Sequence, residues 1–240
     1  MFAYERITAA AVWGQALAIV RRYPVATIVP LAVLAALGEA PYYFIEGTLN
    51  VSEETITSLT GATAFYLYMT LAEEILAIYM AYAEDVAAEA ERGTRRITTR
   101  SMLHMLRQAA PVVPAIIIAS VAAITIPIAA TTLLVIPGLW LLTRWSLFAP
   151  AISRERLGPL AGLKRSNELV RSHFELVFLT AALAIVLEEA GIHAGAVAGL
   201  EVTGSDTWGQ FIGGCIATVL ITPFAALATS VAYSCVSRSA

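Results

Sequence analysis

Charge is what this sequence has least of: 14% of its 240 residues are Asp, Glu, Lys or Arg, against about a quarter in an average soluble domain. With 58% hydrophobic residues, the chain has too few polar side chains to cover a water-facing globule. Lysine is almost missing, since Lys164 stands alone beside 14 arginines, and no basic tract of the kind that grips nucleic acid is present. The arginine bias, with abundant alanine, reads as the composition of a GC-rich bacterial genome. Cysteine is limited to Cys215 and Cys235, which on one helix stand ~30 Å apart, far beyond disulfide reach. They read as small packing residues. HExxH, GxSxG and GxxxxGK[ST] are all missing, so no residues are identified for hydrolysis or group transfer; the chain is expected not to be an enzyme and to need no cofactor. Residues 1–22 also lack the pattern of a cleavable signal peptide, which predicts an uncleaved first span.

What the sequence does have is long apolar stretches of about twenty residues, the length at which a helix rising ~1.5 Å per residue crosses a ~30 Å hydrocarbon layer. They predict an all-α, polytopic membrane protein forming a single domain over residues 1–240. Six spans are expected, at about 24–45, 60–82, 111–130, 133–152, 174–199 and 208–233, paired as three hairpins. From Ala109 to Thr143 there are 35 residues without a charge; as one helix they would extend ~52 Å, so a hairpin is required, with its reversal within Thr131–Gly138 and Pro137-Gly138 as turn or helix-start residues. Three further stretches, 5–22, 95–109 and 155–173, are amphipathic at helical spacing and are read as surface helices lying on the membrane.

The placement of charge fixes an orientation. Of the 15 Lys and Arg residues, 14 fall in the N-terminal segment, the 84–110 connection, the 153–173 connection or the C-terminal tail, and the remaining one is Arg144. The opposite connections hold only Glu46, Glu53, Glu54, Glu201 and Asp206. By the positive-inside rule both termini and the surface helices are cytoplasmic, in a bacterial inner membrane. The same reading suggests a threefold unit, a basic surface helix followed by a hairpin, over about 2–83, 92–152 and 155–235. Its best local match aligns Glu39-Ala40, fifteen residues after Pro24, with Glu189-Ala190, fifteen after Phe174.

Polar groups inside predicted spans are the candidate site residues: Glu39, Glu73, Glu74, Arg144, Glu188, Glu189 and His193. A central charge costs roughly 2.5–3.5 kcal/mol on insertion scales, so these groups must pair, protonate or face a hydrated cavity. Helical rise puts Glu39 and Glu188 at ~21–22 Å from the cytoplasmic end, and Arg144 at a depth where Glu73 or Glu74 could pair with it. Two readings stand: a proton-linked or cation-binding path, or interhelical hydrogen bonding with Arg144 snorkelling toward the cytoplasm. His193 has no second His or Cys at ligand spacing, so no metal is expected. Arg21, Arg22, Arg100, Arg107, Lys164, Arg165 and Arg171 are candidates for holding anionic headgroups, which makes membrane lipids the expected partners. Gly191, Gly195 and Gly199, with Gly209 and Gly213, are spaced for close helix packing, either within the chain or against a membrane-protein partner.

One segment carries a family likeness. Ile136-Pro137-Gly138-Leu139-Trp140, Arg144-Trp145-Ser146-Leu147, Ala149-Pro150, Glu155 and the run Leu163 to Phe174, with its Arg165-Ser166 pair, together resemble the six-span membrane domain found beside some bacterial glycerophosphoryl diester phosphodiesterases and in related stand-alone inner-membrane proteins. The specific part covers about 40 residues. The resemblance implies a membrane location and an unassigned biochemical role, and, as in the stand-alone members, no accompanying phosphodiesterase barrel is expected. Three roles follow from the sequence: a lipid-associated scaffold or membrane-homeostasis factor, a small ion-coupled transporter using the intramembrane carboxylates, or a subunit of a larger membrane complex.

Overall fold

The computed structural model describes residues 8–33, 77–133, 135–204 and 206–239, and these are helical throughout except for short connections. No strand occurs among them. Four helices are long and apolar enough to cross a membrane, Thr99–Pro127, Val135–Glu155, Phe174–Thr203 and Ile212–Ser237, and the bent pair Ala9–Arg22 and Pro24–Val33 makes a fifth if the two form one span. The expected span 60–82 and the second half of 24–45 fall largely outside the described residues.

Helix α1 (Ala9–Arg22) begins at Thr8, whose side chain accepts a hydrogen bond from the Ala11 amide at 3.2 Å, the usual device for an orphan N–H. It stops at Tyr23, whose φ of −129° and ψ of 52° are non-helical. Pro24 is the reason, because its ring disfavours the α region for the residue before it, yet suits the first turn of α2 (Pro24–Val33). The two helices meet at 86°. Helix α3 spans 77–91 and locks onto α2 through tyrosine hydroxyls: Tyr79 donates to the Thr27 carbonyl at 3.0 Å and Tyr82 to that of Ala26 at 2.8 Å. Helix α3 continues past the expected end of the span at 82, because Glu84 to Glu91 carry good helix formers and, as shown below, a buried partner.

Helix α4 (Thr99–Ala109) lies within the stretch 95–109, which the sequence reads as a surface helix. Ala109, Ala110 and Val113 all keep right-handed helical backbone, so α4, a 3-10 turn at Ala110–Val112 and α5 (Val113–Leu133) follow one another without a break, and Thr99–Pro127 counts as one of the four candidate spans. Pro111 falls in the 3-10 segment, where the hydrogen-bond pattern changes within the run. Helix α6 (Val135–Trp145) starts two residues after α5, so Pro137-Gly138 opens this helix rather than forming the reversal. A break at Ser146–Leu147 leads to α7 (Phe148–Glu155), closed by Arg156 in left-handed backbone with φ 53°.

Helix α8 (Pro159–Ser172) is followed by α9 (Phe174–Thr203) and α10 (Asp206–Ser237). The connection expected at 200–207 is shorter than predicted, because α9 runs on to Thr203 and turns at Gly204, whose φ of 65° favours a residue without Cβ. The 30 and 32 residues of α9 and α10 give lengths of ~45–48 Å, longer than a hydrocarbon core.

Helices α1 and α8 are copies in geometry. Each has 14 residues, and Val12, Ala16 and Val20 are buried in one as Gly162, Ser166 and Val170 are in the other, 150 positions later. Each ends in the same way, Tyr23 at φ −129°, ψ 52° and His173 at φ −132°, ψ 33°. The middle unit departs from this, since α4 runs straight into α5. Part of each amphipathic helix is covered by protein: α1 packs on α9 and α10, α8 packs on α5, α6 and α7, and Ala109 of α4 clusters with Ala77 and Ala81 of α3, while Leu103 of α4 and Leu160 of α8 stay exposed.

Candidate functional site

The strongest concentration of chemistry is a charge network at the end of the bundle where the arginines gather. Glu84 and Glu91 lie two turns apart on α3, Arg154 ends α7, and Ser230, Ser234 and Arg238 follow one face near the end of α10. Arg154 donates through Nε to Glu84 Oε2 at 2.9 Å and through another guanidinium nitrogen to Ser230 Oγ at 2.9 Å; Ser230 in turn donates to Glu84 Oε2 at 2.7 Å. A third Arg154 nitrogen approaches Glu91 at 3.5 Å, while Ser234 donates to Glu91 at 2.7 Å and Arg238 at 3.0 Å. Three helices distant in sequence are thereby tied at one level.

Glu84 is 4% exposed. Burial pushes its carboxyl above the ordinary range, against the pull of the Arg154 charge and of its hydrogen bonds from Arg154 and Ser230. Burial acts on Glu91 in the same sense, but the Ser234 hydroxyl and the Arg154 and Arg238 charges outweigh it and hold that carboxyl below the ordinary range. Asp85, one residue along from Glu84, is raised by burial against the charges of Arg156, Arg92 and Arg154.

A second set joins α6 to α8. Arg144 donates to Asn167 Oδ1 at 2.8 Å and lies over the Trp140 ring at 4.5 Å, while its Nε has no partner among the described residues. Ser166 Oγ donates to the Arg144 carbonyl at 2.9 Å and accepts from the Leu147 amide at 3.1 Å, which heals the break between α6 and α7. Arg165 Nε reaches both Glu155 oxygens at 2.8 and 3.2 Å, and Tyr233 donates to Glu155 as well. Residues of the family-like segment thus meet in two sets, Arg144 with Ser166 and Asn167, and Glu155 with Arg165.

The remaining sequence candidates are dispersed. Glu39, Glu73 and Glu74 lie outside the described residues, so the pairing considered for Arg144 with either of the last two does too. Glu188 is half-buried and accepts from Thr222 Oγ1 at 3.0 Å, at the edge of a mostly apolar cavity of about 280 Å³ between α6, α9 and α10. Glu189 and His193 are on an exposed face of α9. Among the described residues no three His, Cys, Asp or Glu side chains cluster as metal ligands.

Arg21, Arg22, Arg100, Arg107, Lys164 and Arg171 are exposed, and Arg22 also donates to the Gly93 and Thr94 carbonyls at 3.2 and 2.9 Å. Arg165 differs, being held by Glu155. The glycines meet within the chain: a Cβ on Gly195 would overlap the Gly213 carbonyl, and one on Gly199 that of Gly209. Gly191 lies one turn before Gly195 on the same helix.

Sequence reasoning missed Glu84, Glu91, Arg154, Ser230 and Ser234. A signal existed, since two acids seven apart follow a span and two serines four apart end another, but charges beside a span read first as solvated. No protein-family model, curated protein or solved structure matches this chain.

Proposed function

We propose that this chain is a non-enzymatic, six-span protein of a bacterial inner membrane, with both termini cytoplasmic, that holds anionic lipid headgroups along its cytoplasmic rim. The observation that carries this is a division among its basic residues. Some arginines at the charged end are paired, Arg154 with Glu84 and Glu91, Arg165 with Glu155, Arg238 with Glu91 and Arg92 with Glu89. Among the described residues, Arg21, Arg100, Arg107, Lys164 and Arg171 are exposed with no carboxylate in ion-pair range. Unpaired cations on the outward sides of amphipathic helices suit an anionic leaflet, at about 1 kcal/mol for each side chain near the surface.

The test uses full-length protein in mild detergent, with retained phospholipid counted by native mass spectrometry. Wild type should retain phosphatidylglycerol over phosphatidylcholine, and the variant Lys164→Glu with Arg171→Glu should retain markedly less. Equal retention by both proteins overturns the proposal.

A second reading rests on Glu188. A carboxyl beside a cavity at membrane depth, held by one threonine hydroxyl, is the arrangement an ion-coupled carrier would use. Reconstituted protein would then carry a proton flux that Glu188→Gln abolishes; undiminished flux in that variant removes this reading.

A further inference from the structure

The described residues also enclose an open cavity of about 790 Å³ at the charged end, between the last turns of α3, the connection 92–98 and the outer face of α4. Arg92, Arg96, Arg100 and Arg107 line it, opposite Asp85 and Glu89. The charges are not equally available. Glu89 is already used, because it pairs with Arg92 and accepts from Thr94 Oγ1 at 2.6 Å. With that pair set aside, Arg96, Arg100 and Arg107 share the cavity with one further carboxylate, Asp85, on which the charges of Arg156, Arg92 and Arg154 act, and among the described residues none of the three cavity arginines has an ion-pair partner.

The cavity is built rather than incidental. Gly93 turns the chain at φ 75°, and the connection is fastened to α1 because Arg22 and Tyr23 both donate to the Thr94 carbonyl. On the other wall, α4 buries Met105 and Ala109, with Met105 itself part of the lining, and Arg100 and Arg107 line the cavity as well. These two are seven residues apart, two turns on one face and ~10 Å along the axis, a gap that two long guanidinium side chains can close around one phosphoryl group.

We propose that this cavity is a phosphoryl-binding site in which Arg96, Arg100 and Arg107 hold the phosphate and Asp85 limits its affinity. The proposal rests on the headgroup reading above for its lipid source, but the same chemistry would accept a soluble phosphorylated molecule, and the experiment separates the two.

Full-length protein in mild detergent is titrated with phosphatidylglycerol, with phosphatidylcholine and with inorganic phosphate. Three proteins are compared with wild type: Arg96→Ala/Arg100→Ala/Arg107→Ala, Lys164→Ala/Arg171→Ala, and Asp85→Asn. Loss of three cations at ~1 kcal/mol each should weaken phosphatidylglycerol binding on the order of a hundredfold in the first. Asp85→Asn should tighten it several-fold, because the repelling carboxylate is gone while the arginines remain. Phosphate binding lost in the triple variant, with no preference for phosphatidylglycerol in wild type, keeps the site, assigns it a soluble ligand and removes the headgroup reading. Phosphatidylglycerol binding that depends on Lys164 and Arg171 but not on the cavity arginines keeps the headgroup reading and overturns the site. Should the triple variant fail to fold, Asp85→Asn decides, and an unchanged affinity overturns the proposal.

Discussion

At the scale of single residues, Arg154 is the group on which most others depend. It is 21% exposed at the side chain and answers Glu84, Glu91 and Ser230 together. Removing one member of a buried ion pair strands the other, which costs roughly 3–5 kcal/mol, whereas replacing both by apolar residues of similar size is often neutral. Arg154→Met should therefore destabilise strongly in an SDS-unfolding titration, and Arg154→Met with Glu84→Leu should recover most of the loss. A double variant as unstable as the single one would show that the network does not act as a pair. Glu91 adds a pH dependence of definite sign. Its folded carboxyl is held below the ordinary 4.5, so its contribution is present above that value and is lost as pH falls through the folded value. Wild type and Glu91→Gln should differ in stability at neutral pH and converge in acid; a constant difference would contradict this.

Between elements, what the sequence revealed depended on how local the cause was. Pro24 sits beside the bend it produces, so the end of α1 was legible from one residue. The glycine intervals were legible for the same reason, because four-residue spacing puts small residues on one stripe whatever the partner. The unbroken passage from α4 to α5 was not, since amphipathic periodicity reports which face is apolar but not what covers it. In α1, α4 and α8 part of the cover is another helix of the chain, and only tertiary contacts decide that. The pairing of Glu84 with Arg154 joins residues 70 apart and was hidden likewise. The glycine contact gives a sharp comparison between adjacent residues of α10. A Cβ on Gly213 would overlap the Gly195 backbone, while one on Gly214 meets nothing within 4 Å. Gly214→Ala should gain up to about 1 kcal/mol of helix propensity, and Gly213→Ala should lose several-fold more than that by forcing α9 and α10 apart. Equal thermal shifts for the two variants would mean that the helices do not meet there.

Across the whole molecule, the arrangement turns on which end faces the cytoplasm. Every described basic side chain other than Arg144 belongs to the N-terminal segment, the 84–110 or 153–173 connections, or the tail, and the network from α3 to α7 to α10 ties these into one end of the bundle. The last turn of α9, at the other end, carries Glu201 instead. Two exposed residues mark the opposite ends, Leu160 on α8 at 80% and Val202 on α9 at 86% exposed, and neither supports a neighbour that a cysteine would disturb. In a background where Cys215 and Cys235 are replaced by alanine, Val202→Cys should react with an impermeant maleimide applied to spheroplasts, and Leu160→Cys only after lysis. The reverse pattern would turn the arginine-rich end outward, away from the leaflet its charge is proposed to meet, and with it both the cavity beside α4 and the rim of α8 would lose their proposed lipid.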